Sequence, residues 1–255
     1  MAVKVLVCLL AGLGAGLGTG FAGMSAAAVI VPILVIFLKI PSYEAIGIAL
    51  ASDVLASAVS AITYGKNKNL DIKNGLVLMF TVIAFTFVGS YIAKLVQNNT
   101  MGNISVFMTM ILGIKFVVKP VVEPKALKDS SLKSKIIKSI ISGSLIGFIC
   151  GFVGAGGGMM MLLILTTVLG YDLKTAVGTS VFVMSFTALT GAISHFIIGD
   201  SPDILILVLC VLFTLIFAQI ASKIANKSKP IILNRITGII LIVISVTIII
   251  VNLVV

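Results

Sequence analysis

Asp53 is the residue of this sequence with the clearest capacity for chemistry, because it lies in the middle of an apolar stretch. It comes ten residues after Tyr43 and eleven before Tyr64. A carboxyl group at membrane depth is costly unless it is protonated, paired or facing water, and such groups often carry protons. We therefore expect Asp53 to take up and release a proton, or to bind Na⁺ together with Ser52 and Ser57. A neutral, hydrogen-bonded structural acid is the alternative.

Two glycine-rich stretches have the composition of a main-chain anion site. Residues 143–158 read GSLIGFICGFVGAGGG, and residues 12–23 read GLGAGLGTGFAG. Glycines four residues apart form a stripe that lets a neighbouring helix approach closely. The denser cluster at 154–158 costs roughly 1 kcal/mol per glycine relative to Ala, so we predict a helix break there. The free N–H groups after such a break can hold an anion; a close helix crossing with a kink is the alternative.

A candidate anion site follows if the two breaks face each other. No Lys or Arg lies at the centre of an apolar segment, so main-chain dipoles and hydroxyl groups would have to hold the anion. The expected substrate-binding residues are Thr19, Phe21, Gly23, Ser25, Gly154, Gly156, Gly157, Gly158, Thr179 and Ser180. For Thr179 and Ser180, helix capping or bonding to preceding carbonyls is the alternative.

The remaining reactive side chains give weaker indications. His195 and Tyr64 are candidate gate residues, and His195 is also a candidate sensor of external pH; for His195 a plain polar anchor at the membrane interface is the alternative. The three cysteines lie in apolar stretches and are interpreted as small buried hydrophobes. One His, no Cys–His spacing and no carboxylate pair argue against a metal or hydrolytic site. We expect no cofactor and no enzyme.

The composition places these residues in a membrane. Of the 255 residues, 60% are hydrophobic and 10% charged, which indicates a polytopic, all-α integral membrane protein. The net charge of +10 is not a nucleic-acid signal, because most Lys and Arg fall in three loops. The apolar segments run about 3–38, 43–64, 74–94, 100–118, 136–169, 175–198, 204–222 and 231–255.

The chain contains an internal repeat. One constant shift along the sequence superposes glycines of the two halves without a gap: Gly12 on Gly143, Gly16 on Gly147 and Gly20 on Gly151. We call this superposition the repeat alignment. We predict one transmembrane domain over 1–255, with repeat 1 at about 1–119, a loop at about 119–135 and repeat 2 at about 132–255.

The charges predict that the two repeats are inverted. The positive-inside rule places loops 65–73, 119–138 and 223–235 in the cytoplasm and the acidic loop 199–203 outside. The fifth segment, 136–169, then begins and ends on one side, and it is too short for two full spans. We predict half-helices in segments one and five, forming re-entrant hairpins from opposite faces, each followed by three transmembrane helices, or about eight membrane segments. A single kinked span in each segment is the alternative.

The sequence resembles the sulfite exporter TauE/SafE family over nearly its whole length. The resemblance rests on GSLIGFICGFVGAGGGMMMLLIL and LKTAVGTSVFVMSFTALTGAISHFIIGD in the second half, and on AGLGAGLGTGFAGMSAAAVIVPIL in the first. It implies a secondary transporter of sulfite, sulfonates, sulfoacetate or related organic anions in the plasma membrane, with export as the direction. Repeat 1 has Met24–Ala27 where repeat 2 has Ala155–Gly158, and Pro32 where repeat 2 has Leu163. The halves are therefore not equivalent at the site.

Three functions remain open at this stage. The first is a carrier of a small anion, with alternating access and protons or Na⁺ as the coupling ion. The second is a passive anion channel. The third is a membrane scaffold whose basic 119–138 loop recruits a partner or anionic lipid. The expected partners are the anion and the lipid bilayer, with a homo-oligomer left open and no nucleic acid.

Overall fold

The protein is all-helical in the part of the chain that the structure describes. The computed structural model describes residues 1–96, 106–107, 110–111, 113–120, 132–153, 157–167, 170–199 and 201–254. The helices are α1 (Ala2–Ala22), α2 (Ala27–Phe37), α3 (Ser42–Lys66), α4 (Ile72–Ala93), α5 (Leu132–Val153), α6 (Gly157–Thr167), α7 (Leu173–Ile198), α8 (Ile204–Lys227) and α9 (Pro230–Val254). Residues 106–107, 110–111 and 113–118 are also helical.

The helices have the lengths and apolarity of a membrane protein. α1, α3, α7 and α8 are each long and apolar enough to cross a bilayer, and shorter apolar helices accompany them. α2 lies in the middle of the bundle, because every residue from Ala27 to Leu34 is buried. A helix that is apolar on all sides fits such a buried position. The predicted all-α membrane class is confirmed.

Each glycine stripe packs against a helix of the other half of the bundle. A Cβ atom added to Gly16 of α1 would lie 2.7 Å from the main-chain nitrogen of Ala218 in α8. A Cβ atom added to Gly147 of α5 would fall on the carbonyl oxygen of Val82 in α4. The backbones of these pairs therefore touch, as small residues permit in membranes. The repeat alignment, which superposes α1 on α5, also superposes α4 on α8.

The broken segments differ from the prediction in the length of their first helix. α1 has 21 residues and α2 has 11, while α5 has 22 and α6 has 11. The prediction of two half-helices in each segment is therefore wrong for the first helix of each. The glycines of α1 and α5 lower helix propensity, but they also let both helices pack directly on a neighbouring backbone, which supports the helix as far as the break.

The first broken segment returns to the end of the bundle at which it starts. Lys4, in the first turn of α1, donates to the Asp203 carboxylate over 2.7 Å. The main-chain N–H of Asp203 donates to Glu44, in the first turn of α3, over 3.0 Å. The start of α1 and the chain that follows α2 therefore both contact Asp203. We call this the Asp203 end of the bundle.

The second broken segment opens from the opposite end. The main-chain N–H of Tyr171, which follows α6, bonds to the Leu165 carbonyl over 3.0 Å, and its hydroxyl donates to Asp71 over 2.6 Å. α5 runs alongside α4 in the same direction, since Gly143 faces Thr81 and Gly151 faces Ser90. α5 therefore starts near the beginning of α4. We call this the Asp71 end, and the hairpin arrangement, rather than a single kinked span, describes both segments.

Two of the three loops that carry positive charge meet at the Asp71 end. The side-chain amide of Asn69 donates to Asn226 over 3.0 Å, and Lys174 donates to the Asn226 carbonyl over 2.7 Å. Loops 65–73 and 223–235 are therefore neighbours. Most of the 119–138 loop lies outside the described residues, and the cytoplasmic assignment of all three loops stays a prediction.

Candidate functional site

The first helix break is built around Gly23. Its φ angle of 62° lies in the left-handed region, which a glycine adopts without a Cβ clash. Its N–H bonds to the Thr19 carbonyl over 3.0 Å, and the Met24 N–H bonds to the Gly18 carbonyl over 3.2 Å. The Thr19 hydroxyl donates to the Met24 carbonyl over 2.9 Å. Thr19 therefore fixes the shape of the break.

The two breaks lie against each other. A Cβ atom added to Gly158, in the first turn of α6, would fall on the carbonyl oxygen of Gly23 and on the sulfur of Met184. A Cβ atom added to Gly157 would lie 3.0 Å from the Cβ of Cys150. Gly154 and Gly156 lie outside the described residues. The described part of the second break thus meets the first at Gly23 and Gly158.

Asp53 reaches across to the first break. Its carboxylate accepts a hydrogen bond from the Ser57 hydroxyl over 2.9 Å, and it also bonds with the Ser25 side chain and the main-chain N–H of Ala26. Ser25 in turn accepts from the Ala27 N–H over 3.3 Å. The first donors of α2 are therefore directed at groups of the protein itself, and the Asp53 carboxyl group accepts a hydrogen bond at the start of α2.

Ser52 does not belong to this group. Its hydroxyl donates to the Ile48 carbonyl of its own helix over 2.9 Å. Consecutive residues on a helix point about 100° apart, whereas Ser57 lies one turn after Asp53 and shares its face. Of the predicted set, the structure joins Ser57 to Asp53 and adds Ser25, while the Ser52 hydroxyl stays within its own helix; the part of Ser52 in binding a coupling ion stays a prediction.

The second break has a different chemical lining. The repeat alignment relates Asp53 to Met184 and Ser57 to Ala188. Both Met184 and Ala188 are buried. A thioether and a methyl group therefore stand where the first break has a carboxylate and a hydroxyl. The difference between the halves that the sequence showed at the breaks extends to the helices that face them.

Thr179 and Ser180 point in different directions. The Ser180 hydroxyl lies at the first break, 2.5 Å from the position of a Cβ atom added to Gly23, and it donates to the Val177 carbonyl over 2.8 Å. Thr179 instead accepts from the main-chain N–H of Asp71 over 3.0 Å. The structure thus joins Ser180 to the break and places Thr179 at the loop between α3 and α4.

Phe21 also faces away from the contact between the breaks. Its partly buried ring lines a small cleft near the Asp71 end. The other lining residues are Tyr64, Leu173, Lys174, Val177, Ala225 and Asn234. Phe21 therefore belongs to a different surface from Gly23 and Ser25.

Tyr64 and His195 make equivalent contacts in the two repeats. The Tyr64 hydroxyl donates to the Gly20 carbonyl over 3.1 Å, and His195 Nε2 donates to the Gly151 carbonyl over 2.9 Å. The repeat alignment superposes Tyr64 on His195 and Gly20 on Gly151. His195 is only 1% exposed and lies against the ring of Tyr43, with centroids 4.2 Å apart. His195 is therefore packed inside the protein, and its role as a gate and its depth in the membrane stay predictions.

Ser60 is a buried polar residue that the sequence reasoning missed. Its side chain is 0% exposed, and its hydroxyl has no hydrogen-bond partner within the described residues. It follows Asp53 and Ser57 at positions i, i+4 and i+7 on α3, so the three side chains share one helix face. This spacing could have identified Ser60 from the sequence as a third polar residue on the face of Asp53 and Ser57.

The described residues do not form a metal centre. No group of three or more His, Cys, Asp or Glu side chains lies close enough to hold an ion in the part of the chain that the structure describes. The buried hydroxyls, glycine main chain and single carboxylate suit a small ligand bound by hydrogen bonds.

Comparison with known proteins agrees with this architecture. Residues 8–248 match the family model described as Sulfite exporter TauE/SafE. The chain belongs to the sulfite exporter TauE/SafE family. It is therefore a member of a membrane transporter family, and its apolar helices fit a multi-pass membrane protein.

Curated relatives of this TauE/SafE member carry transporter names. It is 26% identical to the probable membrane transporter protein YunE of Bacillus subtilis, over 78% of this chain and 80% of that protein. It is 23% identical to YdhB of the same organism, also a probable membrane transporter protein, over 86% and 89%. A probable membrane transporter protein of Haemophilus influenzae is 28% identical over 76% and 75%. No solved structure gives a significant match to the chain.

Proposed function

We propose that this protein is a secondary carrier that exports small anions by alternating access. The substrates are sulfur-containing or small organic anions, with sulfite, sulfonates and sulfoacetate as the leading candidates. The observation that carries the proposal is the contact of two helix breaks, at Gly23 and Gly158, on hairpins that open from opposite ends of the bundle. Carriers built from inverted repeats bind substrate where such discontinuous helices meet.

The site is suited to an anion without a buried cation. Main-chain N–H groups at the start of a helix carry partial positive charge and favour anions. The hydroxyls of Ser25 and Ser180 lie at the first break, and Gly157 and Gly158 let the second break approach. These groups recognise charge and hydrogen-bonding geometry, which sulfonate, sulfite and carboxylate groups share.

Asp53 supplies the coupling in this proposal. It is 1% exposed, and no Lys, Arg or His of the described residues acts on it electrostatically. An ionisable group that is buried in a membrane and has no counter-ion is a natural proton carrier. The protein would lie in the plasma membrane with loops 65–73, 119–138 and 223–235 in the cytoplasm, as the positive-inside rule predicts.

Uptake into proteoliposomes tests the proposal. Purified protein is reconstituted and offered sulfite, sulfate, methanesulfonate, sulfoacetate, taurine and small carboxylates. A carrier gives saturable uptake of one anion class, and uptake becomes faster when the lumen holds the same unlabelled anion. A passive channel gives uptake that does not saturate and is not stimulated from the other side. No uptake of any anion, under proton and Na⁺ gradients of either direction, would contradict the proposal.

A further inference from the structure

The anion-binding position at the start of α2 is filled by the protein's own carboxylate. α2 has 11 residues, and its first donors are the N–H groups of Ala26 and Ala27. The Ala26 N–H bonds to Asp53, and the Ala27 N–H bonds to Ser25, which itself bonds to Asp53. Asp53 comes from α3, so it is a long-range occupant and not an ordinary residue of the helix cap.

A buried hydroxyl about two helical turns from Asp53 on the same helix lacks a partner within the described residues. Ser60 lies on the same face of α3 as Asp53 and Tyr64, between them. Asp53 contacts Ser25 and Ala26 after the break, and Tyr64 contacts Gly20 before it. Ser60 therefore faces the break itself. Because a buried hydroxyl without a partner loses its hydrogen bond to water, its presence points to a further polar ligand at this place.

From these contacts we infer that the Asp53 carboxylate and the transported anion compete for the start of α2. The anion enters when a proton neutralises Asp53, and it then accepts from the Ala26 N–H, Ser25 and Ser60. This inference rests on the proposed function, since it needs a transported anion. It adds that the substrate is a small anion carried together with one proton in the same direction.

Repulsion explains why both anions do not bind at once. Two unit charges about 4 Å apart, at an effective dielectric constant of about 20, repel strongly enough to weaken binding by roughly a thousandfold. A neutral carboxylic acid removes this repulsion and can keep its hydrogen bond with Ser57. A proton on Asp53 and an anion at α2 therefore stabilise each other.

Few other groups can produce the same pH dependence. Within the described residues, the titratable group of another helix that interacts electrostatically with Asp53 is the Cys150 thiol of α5. Tyr64 lies on α3 itself, about three turns away, and bonds to Gly20. From the break, Ser25 and Ala26 face Asp53 without a charge. A variant that removes only the Asp53 charge thus isolates the inferred effect.

The inference predicts a fixed slope for the affinity. At pH values where free Asp53 is ionised, the apparent dissociation constant for methanesulfonate should rise about tenfold for each pH unit, because one proton binds with each anion. Methanesulfonate and sulfoacetate remain ionised from mildly acidic to mildly alkaline pH, so their own titration does not contribute. An anion gradient should also move protons into the vesicles along with the anion.

The test compares variants of the full-length protein. Asp53→Asn keeps the shape and the hydrogen bond from Ala26 but carries no charge, so its affinity for methanesulfonate or sulfoacetate should not change with pH. Thr63→Ala is the matched control, since Thr63 lies on the same helix and its hydroxyl bonds to the Val59 carbonyl; it should keep the tenfold slope. Ser60→Ala should weaken binding several-fold at every pH without changing the slope.

The outcomes separate this inference from the proposed function. Saturable uptake with an unchanged pH slope in Asp53→Asn would refute the competition and leave the carrier standing. Absence of saturable uptake for every anion would refute both. If Asp53→Asn does not fold, the pH of the vesicle lumen is measured with a pH-sensitive dye during anion uptake by the unmodified protein. Acidification of the lumen during anion uptake supports the inference, and alkalinisation or no change overturns it.

Discussion

Replacing one glycine of each stripe by alanine tests the packing that supports both breaks. A Cβ atom on Gly16 would lie 2.7 Å from the Ala218 nitrogen and 2.7 Å from the Thr214 carbonyl oxygen. A Cβ atom on Gly147 would fall on the Val82 carbonyl oxygen. In both cases the obstacle is backbone, which cannot rotate away, so the paired helices must separate.

The expected cost follows from two opposing effects. Forcing an extra methyl group into a packed interface costs typically about 1–3 kcal/mol. Replacing glycine by alanine inside a helix returns up to about 1 kcal/mol. Because the obstacle is backbone in both variants, the cost should lie in the upper part of this range, about 2–3 kcal/mol, and the net loss should be about 1–2 kcal/mol. Such a loss lowers the midpoint of thermal unfolding by roughly 2–8 °C for a chain of this size.

Thermal unfolding of the purified protein in detergent measures this loss. Gly65→Ala is the matched control, because a Cβ atom there would meet only the flexible Leu70 side chain, at 3.3 Å; its midpoint should stay the same or rise. Similar losses in Gly16→Ala and Gly147→Ala would support equivalent packing in the two repeats. Unchanged stability in both, or a loss confined to one repeat, would refute the reasoning.

Three further results are expected. The hydrogen bonds that Asp203 accepts from Lys4 and from a main-chain N–H of α8 lower the pKa of its carboxyl. This stabilisation is present above the ordinary pKa of Asp and disappears as the pH falls through the lowered value. Asp203→Asn should therefore make the unfolding free energy depend less on pH in the acid range. Asp203→Ala should lower the unfolding free energy by about 1 kcal/mol more than Asp203→Asn, because it also removes the cap of α8. Tyr64→Phe should cost about 0.5–1.5 kcal/mol of unfolding free energy, and equal stability in denaturant would exclude the Gly20 contact. Cys150 lies against Gly157 at the second break. In a variant with Cys150 as its single cysteine, a transported anion should therefore slow the labelling of this thiol, and an unchanged labelling rate would place the anion elsewhere.

The sequence predicted the helix breaks because they depend on local chemistry, whereas the internal repeat stays a prediction. A run of glycines weakens a helix wherever it lies, and the repeat alignment can be read without coordinates. The same alignment relates Tyr64 with Gly20 to His195 with Gly151, so these paired contacts were also available in the sequence. The burial of His195 could not be predicted, because the groups that cover it, Tyr43 and the Gly151 carbonyl, come from elsewhere in the chain.

The contacts of the site could not be predicted, because they depend on how helices are rotated. Thr179 and Ser180 are adjacent in sequence, yet one bonds to the α3–α4 loop and the other lies at Gly23. Ser52 is next to Asp53 in the sequence, yet the hydroxyl that reaches Asp53 from the first helix break belongs to Ser25, which is distant in the chain. The helix propensity of glycine likewise gave no indication that α1 would extend for 21 residues, because packing against α8 offsets it.

Saturable anion uptake by the Gly158→Ala variant tests most directly whether the facing breaks form the transport site. Unmodified protein, Gly158→Ala and Gly65→Ala are reconstituted in equal amounts, and sulfoacetate, sulfite and methanesulfonate uptake is measured after folding is checked by thermal unfolding. The account predicts saturable uptake of at least one anion by the unmodified protein and by Gly65→Ala, and its loss in folded Gly158→Ala. Uptake by folded Gly158→Ala that equals the unmodified protein would contradict it.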